Sequence, residues 1–191
     1  MTISIEEDKT FERINFREAP LPKMEYENCR FIDCDFSNAE LSGFKFVECL
    51  FTNCDLSLAR LYETALRDVS FKQCKMLGLQ IDSCNKFGLS FSFEGCRLDN
   101  SSFYKTKIRQ TVFRNCQLHE ADFTEADLGA AVFDRCDLNM AVFDHCMLEK
   151  ADFRGSYNFS IDPETNRLAK ARFSVDGLPG LLHKYQLRID F

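Results

Sequence analysis

Residues 121–153 read ADFTEADLGAAVFDRCDLNMAVFDHCMLEKADF. Large apolar residues recur five apart, at Phe123, Leu128, Phe133, Leu138, Phe143, Leu148 and Phe153. Two residues before each stands a small one: Ala121, Ala126, Ala131, Cys136, Ala141, Cys146 and Ala151. A period of five suits neither an α-helix nor a flat strand, whose side chains repeat every ~3.6 and ~2 residues. It suits a short straight segment followed by a turn, so that each pentad makes one wall of a polygon.

The pattern extends outward in both directions. Phe11, Phe31, Phe51, Phe71, Phe93, Phe113, Phe133 and Phe153 are spaced by twenty, except for one step of twenty-two. Four pentads therefore close one coil, and a solenoid presents each position to the same place in the stack. The slip falls within SCNKFGLSFSFEGC (83–96), where Lys86 or Gly88 would take the vacant bulky slot. All ten cysteines occupy the slot two before the bulky residue, which must point inward and stay small. The remaining positions are mostly polar and face water, and Asp just before the bulky residue suits local hydrogen bonding at a turn. Coils paired at sheet spacing, about seven of them, give a rod roughly 34 Å long.

The stretch quoted first is similar to the A(D/N)LXX tandem of the pentapeptide-repeat family. The resemblance covers about residues 11–155. It implies an all-β fold, a right-handed quadrilateral β-helix, here with a short C-terminal capping helix. Domain limits are expected at 1–175 for the β-helix and 176–191 for a capping or dimerisation helix and strand. CLFTNCDLSLARL (49–61), FKQCKMLGLQIDSC (71–84) and IDPETNRLAKARFS (161–174) look like the Qnr, MfpA and microcin-immunity branch. Members of that branch bind type II topoisomerases, several by resembling duplex DNA. The resemblance thus implies a protein partner such as DNA gyrase or topoisomerase IV, and protection against drugs or toxins aimed at it. Several members carry long projecting loops. In this chain the internal irregularity is confined to Asn85–Ser92.

Bulk properties narrow the classes. The chain has 191 residues, a 45% apolar share and a net charge of −6. That fits one folded domain and argues against nonspecific binding to nucleic acid or to an anionic membrane. No run is long enough to span a bilayer and the N-terminus has no apolar signal core, so the cytoplasm is expected. No CxxC occurs and no His shares an inward slot, so the cysteines are expected to be free thiols, with no metal or other cofactor. His119 and His145 sit at outward slots, and no phosphate loop, HExxH or GxSxG appears. An enzyme is not expected.

Charge is banded along the rod. Residues 1–70 carry fourteen acids and eight bases, residues 96–115 have a net +4, and residues 116–150 a net −6. The last band supplies the candidate partner-binding set: Glu120, Asp122, Glu125, Asp127, Asp137 and Asp144, placed where a DNA mimic would carry its phosphates. The alternative is a scaffold for some other protein, with acids that merely solvate the rod.

A β-helix has open ends that pair with other chains unless covered. Residues 1–10 are expected to pair on the first coil. Ala171-Arg172-Phe173 restores one repeat unit after a break at Tyr157–Arg167. Asp176 and Pro179 mark a helix start. Leu178, Leu181, Leu182 and Tyr185 follow at helical spacing, and Leu187, Ile189 and Phe191 alternate like a strand. These apolar residues either cap the last coil or, as the resemblance implies, join two rods end to end. The expected interface is Leu178, Leu181, Leu182, Tyr185, Leu187 and Ile189.

Overall fold

A computed structural model describes residues 4–188. Each coil runs around four walls, numbered here by their inward residues: wall 1 contains Phe113 and Phe133, wall 2 Leu118 and Leu138, wall 3 Phe103, Phe123 and Phe143, and wall 4 Ile108, Leu128 and Leu148. Wall 1 is a seven-stranded parallel sheet: Thr10–Glu12, Arg30–Ile32, Leu50–Thr52, Val69–Lys72, Phe91–Glu94, Val112–Arg114 and Val132–Asp134. Its register places Phe31 on Phe51, Phe51 on Phe71, Phe71 on Phe93 and Phe113 on Phe133. Wall 4 opens with a four-stranded parallel sheet: Ile5–Glu7, Glu25–Glu27, Lys45–Val47 and Ala65–Arg67. Residues 5–10 thus pair on the coil above them, as expected. Walls 2 and 3 are held by single parallel bridges, such as Arg97 with Gln117 and Ser102 with Asp122.

The inward columns hold as read from the repeat. Every bulky repeat position from Phe16 to Phe153 is buried, and Phe11 at the open end is half-buried. Wall 1 rings stack face to face at 4.9, 4.6, 5.1, 5.4, 5.2, 4.8 and 4.7 Å from Phe11 to Phe153, and Phe173 adds one more at 5.3 Å. Across the interior the rings of walls 1 and 3 meet edge to face, with Phe123 at 89° to Phe133. A ring's electron-rich face receives a neighbour's positive edge in this geometry, so one residue type satisfies both directions.

The small slot does more than fit. Several of its polar residues reach a backbone carbonyl of the coil before: Cys54 Sγ donates to Phe31 O at 3.3 Å, Thr64 Oγ1 to Leu41 O at 2.7 Å and Ser156 Oγ to Phe133 O at 2.7 Å. A thiol is a weak donor but needs no water once its carbonyl is there. All ten thiols are buried and free. Burial pushes Cys49, Cys84 and Cys146 up to about 12, which keeps them protonated and unreactive.

Corners carry the backbone strain. The residue two after the bulky one adopts a left-handed φ, from Asn28 at 49° and Asp33 at 54° to Ala130 at 57° and Lys150 at 63°. This closes a turn such as Ala126 N–H to Phe123 O at 2.9 Å. Asn, Asp and Gly take this conformation cheaply; Leu58, Ala130 and Met140 do not.

Two details depart from the expectation. Neither Lys86 nor Gly88 enters the bulky slot: 86–88 are exposed, and Leu89 packs partly buried on the core instead. The loop bulges out of wall 4, between Asn85 N, which donates to Thr64 O at 3.0 Å, and Ser90 N, which donates to Leu66 O at 3.0 Å, and register resumes with Val69 opposite Phe91. At the far end the helical segment comprises Val175–Gly177, Pro179–Leu182 and His183–Tyr185, with Pro179 in its first turn. Asp176 lies inside the first of these and does not cap the helix, whose preceding residue is Leu178.

Relieving the corner strain is expected to stabilise the rod. Ala130→Gly removes a left-handed penalty of about 1–2 kcal/mol against an unfolded-state entropy cost of about 0.4–1 kcal/mol, so its melting temperature should rise or hold. Ala131→Gly, one residue on and inward, should lower it. Thermal unfolding of the two variants side by side checks the sign difference.

Candidate partner-binding surface

The six acids of the candidate set do not share one wall. Asp122 and Asp144 project from wall 3, with Glu120 and Glu125 at the corners before and after Asp122. Asp127 lies on wall 4 and Asp137 on wall 2, as their bridge partners Lys107 and Gln117 require. The Asp side chains that precede a bulky residue are also spent locally. Asp122 Oδ1 accepts from Thr124 N at 2.8 Å, Asp127 Oδ1 from Gly129 N at 3.1 Å and Asp137 Oδ1 from Asn139 N at 3.2 Å. These are the turn bonds that the sequence position suggested.

Cations from the neighbouring coil pair with two of the set, and a histidine ring stands against a third. Arg109 Nη1 lies 2.9 Å from Asp127 Oδ1, Lys105 Nζ 3.3 Å from Glu125 Oε1, and His119 Nε2 2.9 Å from Asp137 Oδ2. The Arg109 pair needs Gly129, since a Cβ there would stand 2.5 Å from the guanidinium. Arg114 pairs with Asp134 in the same manner at 3.2 Å. Each pair joins residues 18–20 apart, the step of one coil. The basic band and the acidic band are therefore stacked against one another, and no continuous anionic stripe runs down the rod.

Glu120, Asp122 and Asp144 have no Lys or Arg ion pair among the described residues. Asp144 has only the His145 ring, 2.9 Å away. Their wall is also where apolar side chains come to the surface. Leu58 and Met140 stand at its leading corner, and Tyr62, Tyr104 and Val142 on the wall itself, all exposed. The charge pattern drew attention to the acids; these apolar neighbours were readable as outward slots beside Leu61, Phe103 and Phe143 but went unused. Among the described residues no group of three His, Cys, Asp or Glu could hold a metal ion. No described helix is long and apolar enough to cross a membrane.

The C-terminal set divides. Leu181 packs on the core and Leu182 is half-buried, while Leu178, Tyr185 and Leu187 are exposed. Gly180 lies so close to Phe159 that a Cβ there would approach its backbone oxygen at 2.5 Å. The helix is tied down by Lys184, 2.8 Å from Asp162 and 2.6 Å from Glu164, and by Tyr185 Oη, which donates to Glu164 at 2.8 Å. Leu187 is not in a strand; Ile189 and Phe191 lie outside the described residues.

Asp137 offers a test of the stacked charges. Burial alone would raise its pKa, but the His119 ring, the Asn158 amide at 2.8 Å and the Asn139 N–H outweigh it and hold the carboxyl below its usual range. A carboxylate depressed on folding stabilises above its unfolded value, near 3.9, and that gain disappears as pH falls through the folded value. Asp137→Asn should therefore flatten the loss of stability below about pH 4 while lowering stability at neutral pH. Denaturant melts of both proteins across that range measure it.

Two models of repeat sequence match the chain: a pentapeptide repeat region over residues 86–158, and pentapeptide repeats in eight copies over residues 34–73. No curated protein matches. Among solved structures, full-length QnrB1, a plasmid-mediated fluoroquinolone resistance protein, aligns at 19% identity and a TM-score of 0.46, over 96% of this chain and 100% of that one. HetL, a pentapeptide repeat protein involved in heterocyst differentiation regulation in the cyanobacterium Nostoc, aligns at 15% identity and 0.38, over 90% and 87%. Rfr23 from the cyanobacterium Cyanothece aligns at 11% identity and 0.25, over 90% and 85%. With its bulky five-residue repeat, its parallel coils and both repeat models in agreement, the chain belongs to the pentapeptide-repeat family.

Proposed function

We propose that the chain is a non-catalytic rod that acts by binding another protein along its length. The observation that carries this reading is the filled interior. Phe, Leu and small residues occupy every inward column, so distinctive chemistry is confined to the outer walls and the two ends. Flat walls of short, rigid repeats suit an extended contact with a macromolecule better than enclosure of a small substrate.

The resemblance to topoisomerase-binding members makes DNA gyrase and topoisomerase IV the first partners to test. Supercoiling by gyrase and decatenation by topoisomerase IV, each with the rod in stoichiometric excess, are expected to be altered. The effect should weaken with added salt and with Asp122→Ala or Asp144→Ala. No effect on either enzyme at excess would sink the topoisomerase reading. The cross-coil pairing of Glu125, Asp127 and Asp137 favours the second reading, a rod for a different protein partner, because a DNA mimic gains from acids left unpaired.

We also propose that Leu178, Leu181, Leu182, Tyr185, Leu187 and Ile189 seat a second copy of the chain, with Leu178, Tyr185 and Leu187 exposed to receive it. A dimer would cover apolar surface at the end of the rod that its own helix leaves open. Light scattering at micromolar concentration should return twice the 22.1 kDa chain mass, and Leu178→Asp should return the monomer.

A further inference from the structure

We propose that wall 3 is the face on which the rod holds its partner, and that the partner lays a basic, partly apolar helix along it, with Arg and Leu on one side. This rests on the reading of the chain as a protein-binding rod and names the wall and the chemistry that reading leaves open.

The surface distribution of apolar side chains is uneven. Between residues 20 and 150, the large hydrophobic residues left exposed are Leu58, Tyr62, Phe87, Tyr104, Met140 and Val142. Phe87 belongs to the bulged loop, where Arg67 covers its ring at 5.3 Å. The other five all lie on wall 3 or its leading corner. Tyr62 and Met140 are each 68% exposed, which costs more in water than a polar residue would and serves nothing in the core. Exposed apolar side chains gathered on one wall, here on alternate coils with polar residues between, mark an interaction surface, and Tyr is enriched at such surfaces.

Acids on the same wall lack a Lys or Arg partner. Asp82, Glu120, Asp122 and Asp144 project from it or its leading corner without a Lys or Arg partner among the described residues, and one oxygen of Asp82 is buried with no hydrogen bond. Of the cations on this wall and its corners, Arg60 pairs with Glu40 at 3.6 Å and Lys105 with Glu125 at 3.3 Å, while Lys23 stands at the corner of an early coil. On walls 2 and 4, by contrast, Lys75 answers Asp55, Lys45 answers Glu25 and Arg109 answers Asp127. On wall 3, acids without a Lys or Arg partner stand beside exposed apolar side chains, a combination that suits a cationic, partly apolar partner. Tyr104 shows the chemistry in miniature, since Lys105 Nζ rests 4.7 Å from its ring centre.

Spacing selects a helix. Outward positions following the bulky residue run Tyr62, Asp82, Tyr104, Thr124, Asp144, one per coil. Coils repeat at about 4.8 Å, and a helix returns to the same face about every 5.4 Å. A helix lying parallel to the rod therefore brings Arg residues at i, i+3 or i+4 opposite successive coils, each between an aromatic ring and a carboxylate.

The test uses a fluorescein-labelled, Ala-based 18-residue helical peptide with Arg and Leu on one face, and the same peptide with Glu for Arg, read by anisotropy against the full chain. The Arg peptide should bind, less tightly with added salt, and the Glu peptide should not. Tyr62→Ala with Tyr104→Ala, and Asp122→Asn with Asp144→Asn, should each weaken binding about tenfold or more. The wall 2 pair Asp35→Asn with Asp55→Asn should stay within about twofold, and circular dichroism of each variant confirms that the coils remain. No binding of the Arg peptide, equal binding of the Glu peptide, or equal damage from the wall 2 pair each overturns the assignment. A topoisomerase left unaffected while the peptide binds through wall 3 removes that enzyme as partner and keeps the wall. A topoisomerase that responds while the peptide does not bind has the opposite meaning.

Discussion

Vertical superposition is the constraint on which the molecule depends. A coil of four walls has too little interior for side chains from distant parts of the chain, so each inward residue must be served by the one directly above and below it. Phe does this with its face along the axis and its edge across it: Phe133 stacks on Phe113 at 4.8 Å and meets Phe123 nearly perpendicular at 5.8 Å. The parallel backbone ladder fixes the same twenty-residue step independently. Rings and ladder thus demand one register. A one-residue slip would turn the bulky column outward and cost both.

The two-residue insertion shows where this constraint is weak. In wall 4, just before wall 1, the chain can bulge outward, because the slot it vacates holds no ring of the Phe column. Gly88 takes a left-handed φ of 66°, Leu89 covers the gap, and Phe91 rejoins the ladder opposite Val69. An insertion within wall 1 would have displaced Phe93 from Phe71, which it overlies at 5.4 Å. Tolerance is thus a property of positions outside the Phe column, and the outer walls inherit freedom from the same cause. Their side chains touch the stack only through a backbone already fixed.

The fold was legible because its period is set by identical neighbours. Phe at steps of twenty and Cys in one slot give the column assignments without any long-range guess. Less was legible at the corners. Residues two after the bulky position look like ordinary surface polars, and nothing in Leu58 or Met140 announces a left-handed backbone; only the turn's geometry does. Nor did the slot's tolerance for Cys, Ser and Thr reveal the carbonyl that several of them reach one coil back. The bulky slot at the insertion was misplaced because counting residues cannot say which of them a bulge expels.

For the surface, charge summed along the sequence misled where charge taken at steps of twenty would not have. The net +4 of residues 96–115 and the net −6 of residues 116–150 look like bands available to a partner. Stacked by coil, Arg109 falls beside Asp127, Arg114 beside Asp134 and Lys105 beside Glu125. Exposed pairs of this kind add little stability, commonly below about 1 kcal/mol. Their larger effect is on recognition, because an acid held by its own cation has less field to offer a partner. The rod leaves acids without a cation on walls 3 and 4, and on wall 3 it sets exposed rings beside them. That difference between walls, rather than the total charge, is what a partner approaching from solution encounters first.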